Sequence, residues 1–139
     1  MISVEDRLAI QELVARFAHY SDYRDWTALE TCYVPDVVTE MEGFDIAYRG
    51  IPAQVEHAKE SDRQTDGKNR HYFFNLHITE EADGVIANYY FLNTNAGGAP
   101  MAMKLVTSGR HRDTVVKVGD DWKFARRFVM FDQQFELNF

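Results

Sequence analysis

Residues 70–79 read Arg-His-Tyr-Phe-Phe-Asn-Leu-His-Ile-Thr. The run alternates: His71, Phe73, Asn75 and His77 fall on one side, Tyr72, Phe74, Leu76 and Ile78 on the other. Successive side chains of a strand point to opposite faces, so this spacing predicts a β-strand with one apolar face. The other face carries two imidazoles, an amide and a phenyl ring, where a solvated strand carries Lys, Glu or Thr. Groups that titrate near neutrality, set among aromatics, have the composition of a pocket wall. His77 shares that face with His71 but lies about 20 Å further along the strand, too far to join one reaction. Asn75 is closer. It is placed either to hold a substrate oxygen or to make a structural hydrogen bond.

Upstream of this strand the pattern is helical. Ser3-Val4-Glu5-Asp6 matches a helix-capping signature, with Ser3 as N-cap. Ile10, Leu13, Val14 and Phe17 then recur at helical spacing, which predicts a helix to about Ser21. Asp22-Tyr23-Arg24-Asp25 interrupts it, and Asp25 is a good N-cap for a second, shorter helix ending at Pro35. Asp22 thus stands at a joint between helices, near a C-terminus, where the helix dipole disfavours an anion. Val37–Met41 and Phe44–Arg49 predict two short strands around Glu42-Gly43. Pro52 suits the first turn of a third helix, predicted to about Glu60, on which His57 reads as a surface residue. The polar run Ser61–Asn69 reads as a surface loop.

Downstream come a turn at Glu80–Gly84, a strand over Val85–Thr94 and a flexible connection at Asn95–Pro100. A long strand over Met101–Lys117 is expected to bulge or bend at Gly109. Gly119-Asp120-Asp121 turns the chain into a strand over Trp122–Phe131, and the tail holds Phe135, Leu137 and Phe139, which need cover from water. Helices followed by a run of antiparallel strands predict an α+β fold: a strongly curved, mixed, mostly antiparallel sheet wrapped around the N-terminal helices, with an internal pocket. No repeat or linker interrupts it, so residues 1–139 are expected to form a single domain.

Composition narrows the function. The 139 residues are 45% hydrophobic and 27% charged, with ten Phe, seven Tyr and two Trp, which suits a fold around an apolar cavity. Fifteen basic and twenty-two acidic residues give a net charge of −7, which argues against a nucleic-acid partner. The local basic run Arg110-His111-Arg112 is closed by Asp113 and reads as a solvated strand edge. The single cysteine, Cys32, excludes an internal disulfide and any Cys-based metal site, and its spacing from Leu29 places it in the core. The five histidines show no ligand spacing, and Gly97-Gly98 precedes neither a Lys nor a helix start, so neither a metal nor a cofactor is expected. No apolar run suits a membrane span and the N-terminus lacks a signal-peptide core, so a cytoplasmic protein is expected.

Several local patterns, in order, resemble one family. They are Arg16-Phe17-Ala18-His19-Tyr20-Ser21-Asp22, Asp25-Trp26-Thr27-Ala28-Leu29, Pro35-Asp36, Arg70-His71 with Asn75, Gly109-Arg110-His111-Arg112-Asp113, and Trp122-Lys123-Phe124-Ala125-Arg126-Arg127. Over nearly the whole chain this layout resembles the SnoaL-like branch of the nuclear-transport-factor-like (cystatin-like α+β cone) proteins. Within it, the chain looks like the group of scytalone dehydratase, lindane dehydrochlorinase and the bile-acid dehydratases, which use an Asp–His pair in the cone's pocket. By motif position the resemblance implies Asp22 and His71 as that pair and Arg127 as the arginine of the last strand. Some of these dehydratases carry a tyrosine one turn before the Asp; this chain has Phe17 there. Residues 125–133 are also similar to the end of the small subunits of aromatic-ring hydroxylating dioxygenases, which are largely structural.

These readings combine into an expected chemistry. A carboxylate beside an imidazole fixes its tautomer and stabilises the imidazolium formed when the ring takes a proton. The expectation is therefore a cofactor-independent lyase or isomerase with a His71–Asp22 general-base pair, acting by β-elimination or by enolisation and cyclisation. Arg127 would offset charge on an enolate or leaving group. The substrate is expected to be small, hydrophobic, and cyclic or aromatic, held by Phe17, Tyr20, Phe73, Asn75 and Tyr89. The alternative is a non-catalytic binding module or dioxygenase small subunit, in which His71 is a hydrogen-bonded core residue. Simple alternation sets Arg127 opposite Trp122, Phe124 and Arg126, and leaves open which of Arg126 and Arg127 faces the pocket. A homo-oligomer, dimer or trimer, is expected to cover the outer sheet face and the tail.

Overall fold

Among the described residues, three helices and six strands follow one another along the chain. They are α1 (Val4–Asp22), α2 (Trp26–Glu30), β1 (Tyr33–Met41), β2 (Ala47–Arg49), α3 (Ile51–Gln64), β3 (Asn69–Glu81), β4 (Gly84–Asn95), β5 (Lys104–Val118) and β6 (Asp121–Phe131). The structure, a computed structural model, describes residues 1–98 and 103–132. The apolar tail at Phe135, Leu137 and Phe139 and part of the connection before β5 lie outside the described residues. The strands form one curved, unclosed sheet in the order β2-β1-β6-β5-β4-β3. Of these neighbours β1 and β6 pair in parallel, and the others are antiparallel. This is the α+β architecture expected, and among the described residues no helix is long and apolar enough to cross a membrane.

Helix α1 lies on the concave face of the sheet and is fastened near both ends by a carboxylate. At its start Ser3 and Asp6 form a reciprocal capping box, the Ser3 hydroxyl accepting from the Asp6 N–H at 3.0 Å. Asp6 Oδ1 also accepts from Trp122 Nε1 and from Lys117 Nζ, each at 2.9 Å, which ties the helix start to the β5–β6 hairpin. Between its ends α1 buries Ile10, Leu13 and Val14 against Leu29, Cys32, Val37, Val115, Trp122 and Phe124. Cys32 is a core residue there.

Several element boundaries differ from the sequence reading. The second helix ends at Glu30, and β1 already begins at Tyr33 and runs through Pro35. Pro35 is exposed, and a proline at an edge or irregular position costs no ladder bond: the parallel pairing with β6 is itself broken between Tyr33 and Val38. Helix α3 continues one turn past Glu60 to Gln64, carried by Arg63 bonding back to Glu56 and Glu60 on the solvated side. The strand expected over Phe44–Arg49 is confined to Ala47–Arg49.

Two bulges matter more, because each reverses which side chains face inward. In β3, Phe74 pairs with Tyr90 and His77 with Asn88, so three steps on β3 answer two on β4. Asn75 takes φ +57°, the left-handed conformation that Asn tolerates better than most residues. Before it His71 and Phe73 face the helices; after it Leu76 and Ile78 do, packing on the core. Tyr72, Phe74, Asn75 and His77 are exposed. The clean alternation of residues 70–79 is therefore a misleading guide beyond Phe74. In β6, Thr114 pairs with Arg126 but Val115 with Phe124, leaving Ala125 as the extra residue. Phe124 and Arg127 consequently share the inner face.

Gly109 is not at a bulge: its pairing with Phe91 and Phe131 is regular, and the irregularity in β5 falls opposite Asn93 and Thr94. A glycine is needed there for space, since a Cβ would sit 2.0 Å from the Met130 carbonyl oxygen and 2.6 Å from the Phe91 ring. Gly109→Ala is expected to lower stability by at least about 3 kcal/mol in urea unfolding. Asn75→Val should cost about 1–2 kcal/mol through the backbone alone, while Asn75→Gly stays within a few tenths of the parent.

Candidate active site

The site is assembled where the end of α1 meets the start of β3. Asp22 is the last residue of α1, and its carboxylate accepts two hydrogen bonds from one residue. His71 Nδ1 lies 2.6 Å from Asp22 Oδ1, and the His71 backbone N–H donates to Asp22 Oδ2 at 3.0 Å. A carboxylate accepts only, so the ring proton sits on Nδ1 and the Nε2 lone pair is left free. Both side chains are largely buried, 18% and 12% exposed. An anion at a helix C-terminus gains nothing from the dipole; here the two N–H groups of His71 compensate.

The joint is held from outside by Arg24. This residue has φ +59°, and its Nε donates to Asp62 Oδ1 of α3 at 3.0 Å. Its guanidinium lies across Gly67, where a Cβ would come within 1.5 Å of Nη2. The α1–α2 corner, the end of α3 and the approach to β3 are thus locked together, which sets the reach from Asp22 to His71.

Aromatic rings surround the imidazole. Phe17, from α1, meets His71 edge-on at 5.8 Å and Phe73 at 5.8 Å, and Phe73 meets His71 at 5.8 Å. Phe17 also lies over the guanidinium of Arg127, whose Cζ is 4.0 Å from the ring centroid, and Phe124 receives the same cation at 4.4 Å. Arg127, and not Arg126, therefore faces inward. Arg126 is exposed and bonds Glu40.

Arg127 is 3% exposed, and a charge buried that deeply needs partners. Its Nε donates to Asp113 Oδ2 at 3.1 Å and its Nη2 to the Tyr89 hydroxyl at 3.0 Å; Tyr89 in turn donates to Asp113 Oδ2 at 2.5 Å. His111 stacks on Tyr89 at 4.8 Å, with its Nδ1 3.4 Å from Arg127 Nη2 and 3.5 Å from Asp113 Oδ1. Burial works against the Asp113 charge, but the Arg127 guanidinium and His111 outweigh it and hold the carboxyl below its ordinary range. Burial, reinforced by the Arg127 charge, lowers the His111 pKa despite the pull of Asp113. The basic run 110–112 is thus no solvated edge: His111 and Asp113 are interior, and only Arg110 and Arg112 face out.

Of the residues expected against substrate, Phe17 and Phe73 are half-buried beside His71, and Tyr20 is half-buried against the core. Tyr89 sits deeper, 1% exposed, with its hydroxyl committed to Asp113 and Arg127. Asn75 lies on the opposite face of the sheet because of the bulge. The amide on the His71 side is instead Asn93, the cross-strand partner of His71, whose Oδ1 is buried without a hydrogen bond. Helix α3 adds a group that the sequence reading placed on the surface. His57 is half-buried and stacks on Tyr48 of β2 at 4.2 Å. Burial, then the charges of Arg127 and His71, lower its pKa. Its inward position follows from Gln54 one turn earlier, which accepts from Thr39 at 2.6 Å and donates to the Tyr48 carbonyl at 2.9 Å. An i, i+3 pairing of Gln54 and His57 was the available sequence signal.

The model of the SnoaL-like domain family matches residues 3–128. Among solved structures, Aln2 from a Streptomyces species is 25% identical with a TM-score of 0.84, over 95% of this chain and 94% of that one. A protein of unknown function from Mycobacterium tuberculosis is 26% identical with a TM-score of 0.80, over 93% of this chain and 73% of its own. A candidate scytalone dehydratase from Novosphingobium aromaticivorans shares the fold at 18% identity and a TM-score of 0.75, over 94% of this chain and 86% of its own. No curated protein matches the sequence.

Asp113→Ala leaves Arg127 buried without its countercharge and should cost about 3–5 kcal/mol in urea unfolding. His57 and His111 have folded pKa values below those of the unfolded chain, so the unfolded state binds more protons in that window. Stability is therefore full above about pH 6.5 and falls as pH drops below it. The Asp113 contribution persists to lower pH and is lost only as pH falls through its depressed folded value. Unfolding midpoints measured at pH 7.5, 6.5 and 5.5 should decline in that order, and His111→Gln should flatten the decline.

Proposed function

The chain belongs to the SnoaL-like domain family, which includes polyketide cyclases and dehydratases, and we propose that it is a cofactor-independent lyase or isomerase using His71 as general base. The observation that carries this reading is the double hydrogen bond from residue 71 to Asp22. It holds the ring against rotation and keeps its proton on Nδ1. Nε2, on the inner face among Phe17 and Phe73, is then a base in an apolar setting.

The reaction starts with a C–H acidified by a neighbouring carbonyl. Nε2 takes that proton and becomes N–H; the C–H electron pair moves onto the carbonyl oxygen as an enolate. The imidazolium is stabilised by Asp22, which stays ionised. Collapse of the enolate expels hydroxide or halide from the β-carbon, the hydroxide leaving as water with the proton returned by His71. Without a leaving group, the same enolate attacks a second carbonyl of the substrate and closes a ring. The Arg127–Asp113 ion pair, with its guanidinium end behind the Phe17 ring, presents a fixed dipole to the anionic oxygen in a low-dielectric setting. The half-buried aromatic lining favours a small cyclic or aromatic substrate.

Base action is separable from substrate identity by α-proton exchange. 2-Tetralone in D2O, followed by proton NMR, should lose its α-hydrogens faster with the protein than with buffer. His71→Ala should lower that rate about 10²–10⁴-fold, and Asp22→Asn should lower it with the fold retained by circular dichroism. Exchange no faster than buffer, or unchanged in His71→Ala, would instead favour a non-catalytic binding module.

A further inference from the structure

His57 has no assigned role, yet its ring stacks on Tyr48, a strand residue in register with Arg127. Thr39 pairs with Tyr48 on one side and with Arg127 on the other, so Tyr48, Thr39 and Arg127 form one row across β2, β1 and β6. Cross-strand partners point to the same face, and two strand spacings separate the ends of this row by about 10 Å. His57 lies on the Tyr48 end. Phe17 lies on the Arg127 end and also meets His71. The two imidazoles thus lie toward opposite ends of this row, one carried by α3 and one by β3. Neither ring nitrogen of His57 bonds to any described residue, although its ring is half-buried. A partly buried N–H without a protein partner is an available donor.

We propose that His57 is a second substrate-contacting residue of this site, its imidazole N–H donating to the oxygen that gains negative charge while His71 takes the proton. This rests on the reading of His71 as base. The His57 proton stays on its own nitrogen throughout: the C–H proton goes to His71 Nε2 and the electron pair to the oxygen. Burial and the Arg127 charge disfavour a protonated His57. The ring therefore acts as a neutral hydrogen-bond donor, and avoids placing a second full cation beside Arg127. A merely structural role, packing α3 onto β2, requires only the stack on Tyr48, which a phenyl ring would keep. Gln54 makes the polar bonds from that helix to β1 and β2.

The test uses 2-naphthol as a planar mimic of the enolate, since its ionised form has a distinct emission. Wild-type protein should bind it as naphtholate. His57→Phe, which keeps the stack, should weaken that binding about tenfold or more, and His57→Gln, which restores a donor, should recover part of the loss. Circular dichroism verifies that both variants are folded. Equal binding by wild type and His57→Phe, or no naphtholate bound by wild type at millimolar concentration, would overturn the role of His57. Failure of His71 as base is read separately, in the 2-tetralone exchange of His71→Ala.

Discussion

The two hydrogen bonds between Asp22 and His71 are the contact on which both the fold and the candidate site depend. Helix α1 crosses the concave face of the sheet, and a helix packed by apolar contacts alone can slide or roll. Asp6 fastens its start to Lys117 and Trp122, and Asp22 fastens its end to β3. Hydrogen bonds to a charged acceptor contribute about 1.5–3 kcal/mol each, so this closure is a sizeable part of a marginal stability. The same bonds orient the His71 ring. A change that loosens α1 therefore disturbs the His71 ring, and a change at His71 loosens α1.

Beneath that pair, the structure tolerates a buried cation. Arg127 is enclosed by Asp113, Tyr89 and His111 on one side and by the Phe17 and Phe124 rings on the other. Each partner is needed for a different reason: Asp113 neutralises the charge, Tyr89 takes up a guanidinium N–H, and the rings exclude water. The net effect is a buried ion pair whose guanidinium end lies against the Phe17 and Phe124 rings.

The arrangement also explains why these aromatic residues cluster. Phe17 touches His71, Phe73, Phe124, Tyr33 and Arg127. It occupies the position where some related dehydratases carry a tyrosine. Among the polar groups near His71, its cross-strand partner Asn93 has a buried Oδ1 without a hydrogen bond.

Much of this was legible in the chain itself. The Ser3–Asp6 cap, the helical spacing of Ile10, Leu13, Val14 and Phe17, and the Asp25 cap specify the helices through local physics. Runs of alternating residues specify the strands. Hence the α+β class and the placing of Asp22 at a joint and His71 on a strand followed from the sequence. What it did not determine were facings. The Asn75 and Ala125 bulges each insert one residue, and one residue reverses every later side chain on that strand. That is why Asn75 and His77 turn outward, why Leu76 and Ile78 turn in, and why Arg127 rather than Arg126 is buried. His57 likewise gains its meaning from the Tyr48 ring beneath it, on a strand that pairs in register with Arg127 only through β1. Bulges and cross-strand neighbours depend on which strands pair and in what register. Those are set by packing over the whole sheet, so only the folded molecule decides them.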